Sequence, residues 1–352
     1  MNMFFQNTIK TFGLDIGEAT LRLIACKRGL RSIKLTNFQS IALPQGTLAK
    51  GKIINRDNFI RAIQQLITAS KIKKQYVVAS LPEKQTYTKV FPFVADGNAI
   101  TEEKVRNEIT QHLPYPLSMM IIDWQYFTFG HQSYLAFAAI AKEITENFLQ
   151  ALTDAGLNIL AFETEAQAIV RSLVKTKDIT GARCMIHIDS QRTTFILERD
   201  GVIHFTRQSE NFSGNAMTQA IQNAFKSSVE EAERLKLHYG LQSPKENTTI
   251  IEALTPLLQT LATEILEILH YYKLHIAQGQ EPLREILLSG GVAHTKSLPE
   301  ALTNMLQMTI NPGNPWCNIN ARTLKRFPIT SSLSYTCAIG LALRSMFESE
   351  NI

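Results

Sequence analysis

Twice in this chain an aspartate closes an apolar strand pattern and a tight turn follows. The first case is Thr11-Phe12-Gly13-Leu14-Asp15-Ile16, which turns through Gly17-Glu18-Ala19 into Thr20-Leu21-Arg22-Leu23-Ile24-Ala25. The second strand of that pair alternates with period two, as a half-buried strand does. The second case runs from Cys184 to Asp189 and continues from Thr193 to Glu198, with Asp200-Gly201 as a further hairpin turn. These hairpins are the sequence's one hint of internal duplication. A chain of 352 residues is long enough for two lobes.

Between the hairpins the pattern is mixed. Asn58 to Ser70 has helical spacing and Tyr76 to Leu81 reads as a buried strand ended by Pro82. Residues 86–160 read as a unit of their own, with strands near 86–93, 120–129 and 134–141 and helices near 101–113 and 143–155. Thr101 with Glu102 and Glu103 starts a helix, because acids suit the positive end of the helix dipole. Beyond the second hairpin, helices are predicted over 213–238, over 256–276, from about 295 and over 335–347, with a short strand at Ile286-Leu287-Leu288.

Composition excludes several classes. The net charge of +5 is modest, and Lys71, Lys73 and Lys74 read as a solvated helix end, so nucleic acid is not the expected partner. Four scattered cysteines at 26, 184, 317 and 337 fit neither a zinc site nor a disulfide framework. No apolar run approaches the ~18 residues of a membrane span. Met1 to Phe5 is apolar but short.

Each candidate site residue has a functional and a plain structural reading. Gly17 at a strand-to-strand turn lets backbone N–H groups approach an anion, and Asp15 could hold magnesium through waters; an ordinary hairpin needs the same pair. Asp189, before Ser190-Gln191-Arg192, could share a metal–phosphate site with Asp15, or simply end a strand. Ser213-Gly214-Asn215 opens a helix whose N–H groups suit phosphate, or is a plain cap. Glu233 and Lys236 lie on one helical face and could bracket a ribose, or form a surface ion pair. Ser289-Gly290-Gly291 would let a flat base lie on bare backbone, or is a flexible connection. Thr164-Glu165-Ala166-Gln167 resembles a capping box, whereas Glu165 could instead orient a water towards a γ-phosphate. No P-loop pattern and no nucleophile elbow is present.

Taken in order, these features resemble the actin/Hsp-type/sugar-kinase ATPase superfamily and, within it, the PilM family of type IV pilus and competence proteins. The resemblance rests on Gly13 to Gly17 with Leu21-Arg22-Leu23, Leu113-Pro114-Tyr115-Pro116 with Asp123, and Glu165-x-x-Ala168-x-x-Arg171. It continues through Gly201 to Arg207, Gly214, Thr218, Glu231-Ala232-Glu233-x-x-Lys236, Glu264, Tyr271-Tyr272, Leu288-Ser289-Gly290-Gly291, Asn311-Pro312 and Ala338 to Arg344. It implies an α/β, actin-like (ribonuclease H-like, duplicated) two-lobe ATPase fold with a small α+β subdomain inserted as in FtsA and PilM. Residues 1–85, 161–182 and 321–352 would form the first lobe, 86–160 the insert and 183–320 the second lobe.

The resemblance further implies ATP and Mg²⁺ as cofactors, with Asp15 and Asp189 at the metal. Gly17, Glu18, Ala19, Thr20, Arg22, Ser190, Arg192 and Gly214 would lie at the phosphates, Glu233, Lys236, Gly290 and Gly291 at the adenosine, and Glu165 in a catalytic position. Where the family has a glycine in the second phosphate hairpin, this chain has Ser190-Gln191-Arg192, which points to ATP binding with weak or absent hydrolysis. The implied role is a cytoplasmic adaptor, peripheral on the inner membrane. It would bind the N-terminal tail of a PilN-like protein and link it to pilus motor ATPases, with self-association left open. The alternatives are an FtsA-like division scaffold, for which Ser345 to Ile352 is too short and acidic to supply a membrane helix, and a small-molecule kinase.

Overall fold

The computed structural model describes residues 11–29, 32–73, 76–93, 100–129, 132–242, 248–277 and 282–347. Met1 to Phe5, Lys74 and the last residues of the 345–352 segment lie outside them. The chain divides into two compact units. The first comprises Met1–Arg171, Asn318–Phe327 and Cys337–Ile352; the second comprises Ser172–Cys317 and Pro328–Thr336.

The first unit begins with β1 (Thr11–Ile16), β2 (Thr20–Arg28), β3 (Ile33–Ala42), the short pair β4 (Leu48–Ala49) and β5 (Lys52–Ile53), α1 (Arg56–Ser70), β6 (Tyr76–Leu81) and β7 (Thr86–Pro92). It continues with α2 (Glu102–Thr110), β8 (Met120–Phe129), β9 (Gln132–Ala141), α3 (Lys142–Asp154), β10 (Asn158–Thr164) and α4 (Glu165–Leu173). The second unit carries β11 (Ala182–Ile188), β12 (Thr193–Arg199), β13 (Val202–Ser209), α5 (Gly214–Phe225), α6 (Val229–Tyr239), α7 (Thr249–His275), β14 (Glu285–Ser289), α8 (Leu298–Leu306) and β15 (Asn311–Pro312). The chain then returns to the first unit with α9 (Thr336–Phe347).

Both units are built on a five-stranded sheet, and the two sheets share one topology. Their orders are β10-β6-β1-β2-β3 and β13-β12-β11-β14-β15. In each, three antiparallel strands (β1-β2-β3, β11-β12-β13) adjoin strands added in parallel on the other side of the first. Asp15 lies near the end of β1 and Asp189 just beyond β11, so the aspartates occupy equivalent places in a duplicated fold.

Sequence-level reasons for these elements are visible. Asn55 caps α1 by accepting the Asn58 N–H, and Lys71 closes it in the left-handed region at φ 56°. Thr101 caps α2 by accepting the Lys104 N–H. Asp200 and Gly201, at φ 53° and 85°, make the tight β12–β13 turn. α7 starts earlier than its proline suggests, at Thr249 rather than near Pro256. Ile250 and Leu254 are buried in the core there, and that burial offsets the missing N–H bond.

The inserted body is smaller than residues 86–160. Its antiparallel sheet, ordered β7-β9-β8, buries Phe91, Leu135, Phe137 and Ala139 against Val105 and Ile109 of α2. α3 instead joins the main core, where Phe148 meets Phe59 of α1 edge-on. β10 pairs with β6 in the main sheet. Two glycines allow α9 to lie against this unit. A Cβ on Gly13 would stand 2.4 Å from the Ala338 oxygen, and one on Gly340 would stand 1.7 Å from the Ala168 oxygen.

Candidate functional site

In the first unit, Asp15 and Arg22 are cross-strand partners on β1 and β2. The guanidinium Nη1 lies 3.5 Å from the carboxylate Oδ2, with side chains only 17% and 10% exposed. Asp15 thus has a cationic neighbour, and a divalent ion there would have to share the carboxylate with Arg22 or displace it towards phosphate. Ser80 of β6 accepts the Ile16 N–H at 2.8 Å, fixing the strand end. The Gly17 N–H donates to the Thr20 oxygen at 3.1 Å and closes the turn. Glu18 Oε1 accepts the Gly51 N–H at 2.9 Å, so this side chain ties the turn to the β4–β5 hairpin. Ala19 is exposed at the tip. Gly17, Glu18, Ala19, Thr20, Arg22 and Asp15 therefore form one turn.

Glu165 is buried at the first position of α4. Thr164 caps that helix, accepting the Gln167 N–H at 3.3 Å. The acid that engages Arg171 is Glu163, two residues earlier. Its carboxylate takes both terminal nitrogens of Arg171, which also donates to the Gly340 oxygen at 3.2 Å. Arg344 approaches the same carboxylate at 3.9 Å. This buried cluster pins β10, α4 and α9 together, and sequence reading missed its central acid.

In the second unit the Asp189 turn is braced from three sides. The Asp189 N–H donates to the Arg192 oxygen at 2.9 Å, closing the β11–β12 hairpin. Gly214 N–H donates to the Asp189 oxygen at 2.9 Å and Asn215 N–H to the Ser190 oxygen at 2.7 Å. The third side is His187 of β11. Its Nε2 lies 3.1 Å from Asp189 Oδ2 and its Nδ1 lies 2.8 Å from Ser289 Oγ at the end of β14. The Asp189 side chain remains 31% exposed.

The start of α5 is engaged as the plain-cap reading of Ser213-Gly214-Asn215 has it. Gly214 and Asn215 give their N–H groups to the Asp189 turn, and Ala216 gives its own to the Ser213 cap at 3.2 Å. These donors are engaged within the protein. Gly214 sits in a tight place, since a Cβ would stand 3.1 Å from Ser190 Cα and 3.2 Å from Val292 Cγ2, and those neighbours would have to give by a few tenths of an ångström.

Lys236 is buried, with its ammonium 3.0 Å from the Gly214 oxygen, 2.8 Å from Thr218 Oγ1 and 2.6 Å from Glu233 Oε2. It anchors the first turn of α5 to α6. The Glu233 side chain is 44% exposed and is the outward member of the pair.

Gly290 and Gly291 differ sharply. Gly290 sits at φ 89°, and a Cβ there would meet the Ile188 backbone oxygen at 2.3 Å. The fold demands glycine at that position. Gly291 opens a short 3₁₀ turn, has no left-handed φ, and would bring a Cβ no nearer than 3.6 Å to any atom, the Ser334 hydroxyl. Packing does not require glycine at 291.

For a metal, no group of three or more His, Cys, Asp or Glu side chains able to hold one occurs among the described residues. Single carboxylates at turns match Mg²⁺, which takes one or two carboxylates and completes its shell with water and phosphate. Each unit offers one turn carboxylate of this kind, Asp15 in the first at 10% side-chain exposure and Asp189 in the second at 31%, and either would suit a magnesium–phosphate group.

The paired sheets with β1-β2-β3-type hairpins and a small insert define an actin-like fold. Solved structures agree. MreB5 of Spiroplasma citri bound to ADP superposes with a TM-score of 0.60 at 12% identity, covering 98% of this chain and 99% of that one. The ethanolamine utilization protein EutJ from Carboxydothermus hydrogenoformans gives 0.58 at 14% identity, covering 94% and 88%. The likeness to the PilM–PilN type IV pilus biogenesis complex is greater, with a TM-score of 0.81 at 23% identity, covering 96% and 99%. Residues 13–346 match the family described as type IV pilus assembly protein PilM, and the chain belongs to that family. No helix among the described residues is long and apolar enough to cross a membrane.

Proposed function

We propose that this chain is a nucleotide-holding adaptor of type IV pilus assembly. It binds Mg-ATP with weak or absent turnover. It takes the N-terminal cytoplasmic peptide of a PilN-like inner-membrane protein, which places it at the inner membrane through that partner, and links the peptide to the pilus motor ATPases. Family membership supports the assembly role, and the PilM–PilN complex supports the choice of partner. MreB5 structures bound to ADP and AMPPNP support the choice of ligand.

The observation that carries the nucleotide reading is the glycine at 291, which the protein's own packing leaves unexplained, in the same unit as a braced, part-exposed Asp189. Each aspartate hairpin serves as a phosphate turn. Weak turnover follows from the second hairpin, where Ser190-Gln191-Arg192 replaces the small residues that would let a phosphate settle close. The first N–H groups of α5 are also already engaged.

The test uses the full chain, a fluorescent ATP analogue with Mg²⁺, and an immobilised PilN-type N-terminal peptide. Binding of the analogue should be lost in Asp15→Ala and reduced at least tenfold in Asp189→Asn. Affinity unchanged in both variants refutes the assignment of the site. Failure of the peptide to retain the wild type, with or without Mg-ATP, refutes the adaptor.

A further inference from the structure

His187 is 4% exposed and is the next-to-last residue of an entirely buried strand. A buried imidazole must satisfy both ring nitrogens. Its Nε2 faces Asp189 Oδ2 at 3.1 Å, and an ionised carboxylate only accepts, so Nε2 carries the proton and donates. Its Nδ1 faces Ser289 Oγ at 2.8 Å. In the neutral ring Nδ1 accepts, so the Ser289 hydroxyl donates to it. Ser289 is itself fully buried and immediately precedes Gly290-Gly291. Its position beside the ring is fixed by sheet register, because His187 and Ser289 are paired residues of the parallel strands β11 and β14. A directed chain of hydrogen bonds thus runs from Ser289, at the head of the Gly290-Gly291 turn, through one imidazole, to one oxygen of the Asp189 carboxylate.

We propose that His187 is a positioning residue of the nucleotide site. It fixes the rotamer of Asp189 in the orientation that receives the metal–phosphate group, and it couples that orientation to the Ser289-Gly290-Gly291 turn. The inference rests on the Mg-nucleotide reading given above. Outer groups that orient a metal-binding carboxylate commonly change affinity by about 10–100-fold when removed. No proton transfer is assigned to His187; its work is done by direction and rigidity.

Amide replacements separate this role from simple packing. In His187→Gln the side-chain nitrogen reaches the place of Nε2 and keeps the donor to Asp189. In His187→Asn it reaches only the place of Nδ1 and keeps only the Ser289 contact. Ser289→Ala loosens the ring without touching His187. A fluorescent ATP analogue is titrated against each full-length variant with Mg²⁺ and again with EDTA, and each apo protein is melted.

In His187→Asn the Mg²⁺-dependent gain in affinity should fall by about 10–100-fold while affinity in EDTA stays within about twofold. His187→Gln should recover most of the gain, and Ser289→Ala should lose several-fold of it. The proposal is overturned if Asn and Gln variants behave alike, if the loss is equal with and without Mg²⁺, or if Ser289→Ala matches the wild type. A wild type that binds no analogue in Mg²⁺ overturns the nucleotide reading itself, an outcome distinct from these.

Discussion

Alanine at 290 and alanine at 291 should have opposite effects, although the two residues are neighbours. At 290 a methyl group meets three backbone atoms of Ile188 at 2.3–2.7 Å, at φ 89°. A backbone at φ 89° and ψ 172° is open essentially to glycine alone and costs any other residue about 1–3 kcal/mol. Overpacking against backbone that cannot rotate away adds about 1–3 kcal/mol. Gly290→Ala should therefore lose on the order of 2–6 kcal/mol, a fall in Tm of about 4–24 °C at roughly 2–4 °C per kcal/mol. At 291 the nearest atom is 3.6 Å away and φ is not left-handed. There the substitution acts mainly by restricting the unfolded chain, worth about 0.4–1 kcal/mol of stabilisation, or a rise of about 1–4 °C.

A base lying on residue 291 reverses the sign for binding. A methyl group inserted into that contact costs about 1–3 kcal/mol, so Gly291→Ala should weaken the ATP analogue roughly tenfold or more while stabilising the apo protein. Differential scanning fluorimetry of the apo variants and a fluorescence titration in Mg²⁺ read the two effects separately. Gly291→Ala melting below the wild type refutes the packing argument. Gly291→Ala binding nucleotide as tightly as the wild type refutes the placement of the base.

Lys236→Met should lower apo stability by about 1–3 kcal/mol, because the Gly214 oxygen loses a charged donor; an unchanged melt with weakened ATP binding would instead mark Lys236 as a ribose contact. Burial first, and then Arg199, hold the His204 pKa down to about 4, from an ordinary value near 6.5. As pH falls from about 6.5 to 4 the unfolded chain takes up that proton before the folded one, so up to about 3 kcal/mol is lost across that window and none from this group below it. His294 and His112, whose values are lowered chiefly by burial, act in the same direction. His204→Gln should flatten this part of the denaturant-midpoint profile, and an identical profile contradicts it. Burial pushes the Cys184 thiol up to about 12 and the Cys317 thiol up to about 11. A thiol reagent at pH 8 should label these positions in the native protein far more slowly than in urea, as liquid chromatography and mass spectrometry would show.

Much of the architecture was legible because it is local. The period-two runs around Asp15 and Asp189, the Thr101 cap and the Asp200-Gly201 turn are set by residues a few positions apart, and they mark strands, a helix start and a hairpin wherever the chain places them. The candidate site was legible only as an ordered set of turns. His187 could have been suspected, since it lies two residues before Asp189 and so on the same face of the strand. Its second partner could not, because Ser289 is 102 residues away and the pairing is fixed by sheet register.

What the sequence determined by itself is therefore the duplicated strand pattern, the small insert and the residue types at the turns. Tertiary structure alone decided where those groups are spent. α3 and β10 follow the insert in sequence but belong to the main core, because strand pairing and apolar contact, not chain order, assign them. Arg171 pairs with Glu163, an acid outside the Glu165-x-x-Ala168-x-x-Arg171 motif, and α5 turns its first N–H groups onto the Asp189 hairpin. Such assignments depend on which buried donor finds which acceptor once distant segments are packed, and short-range patterning carries no record of that choice.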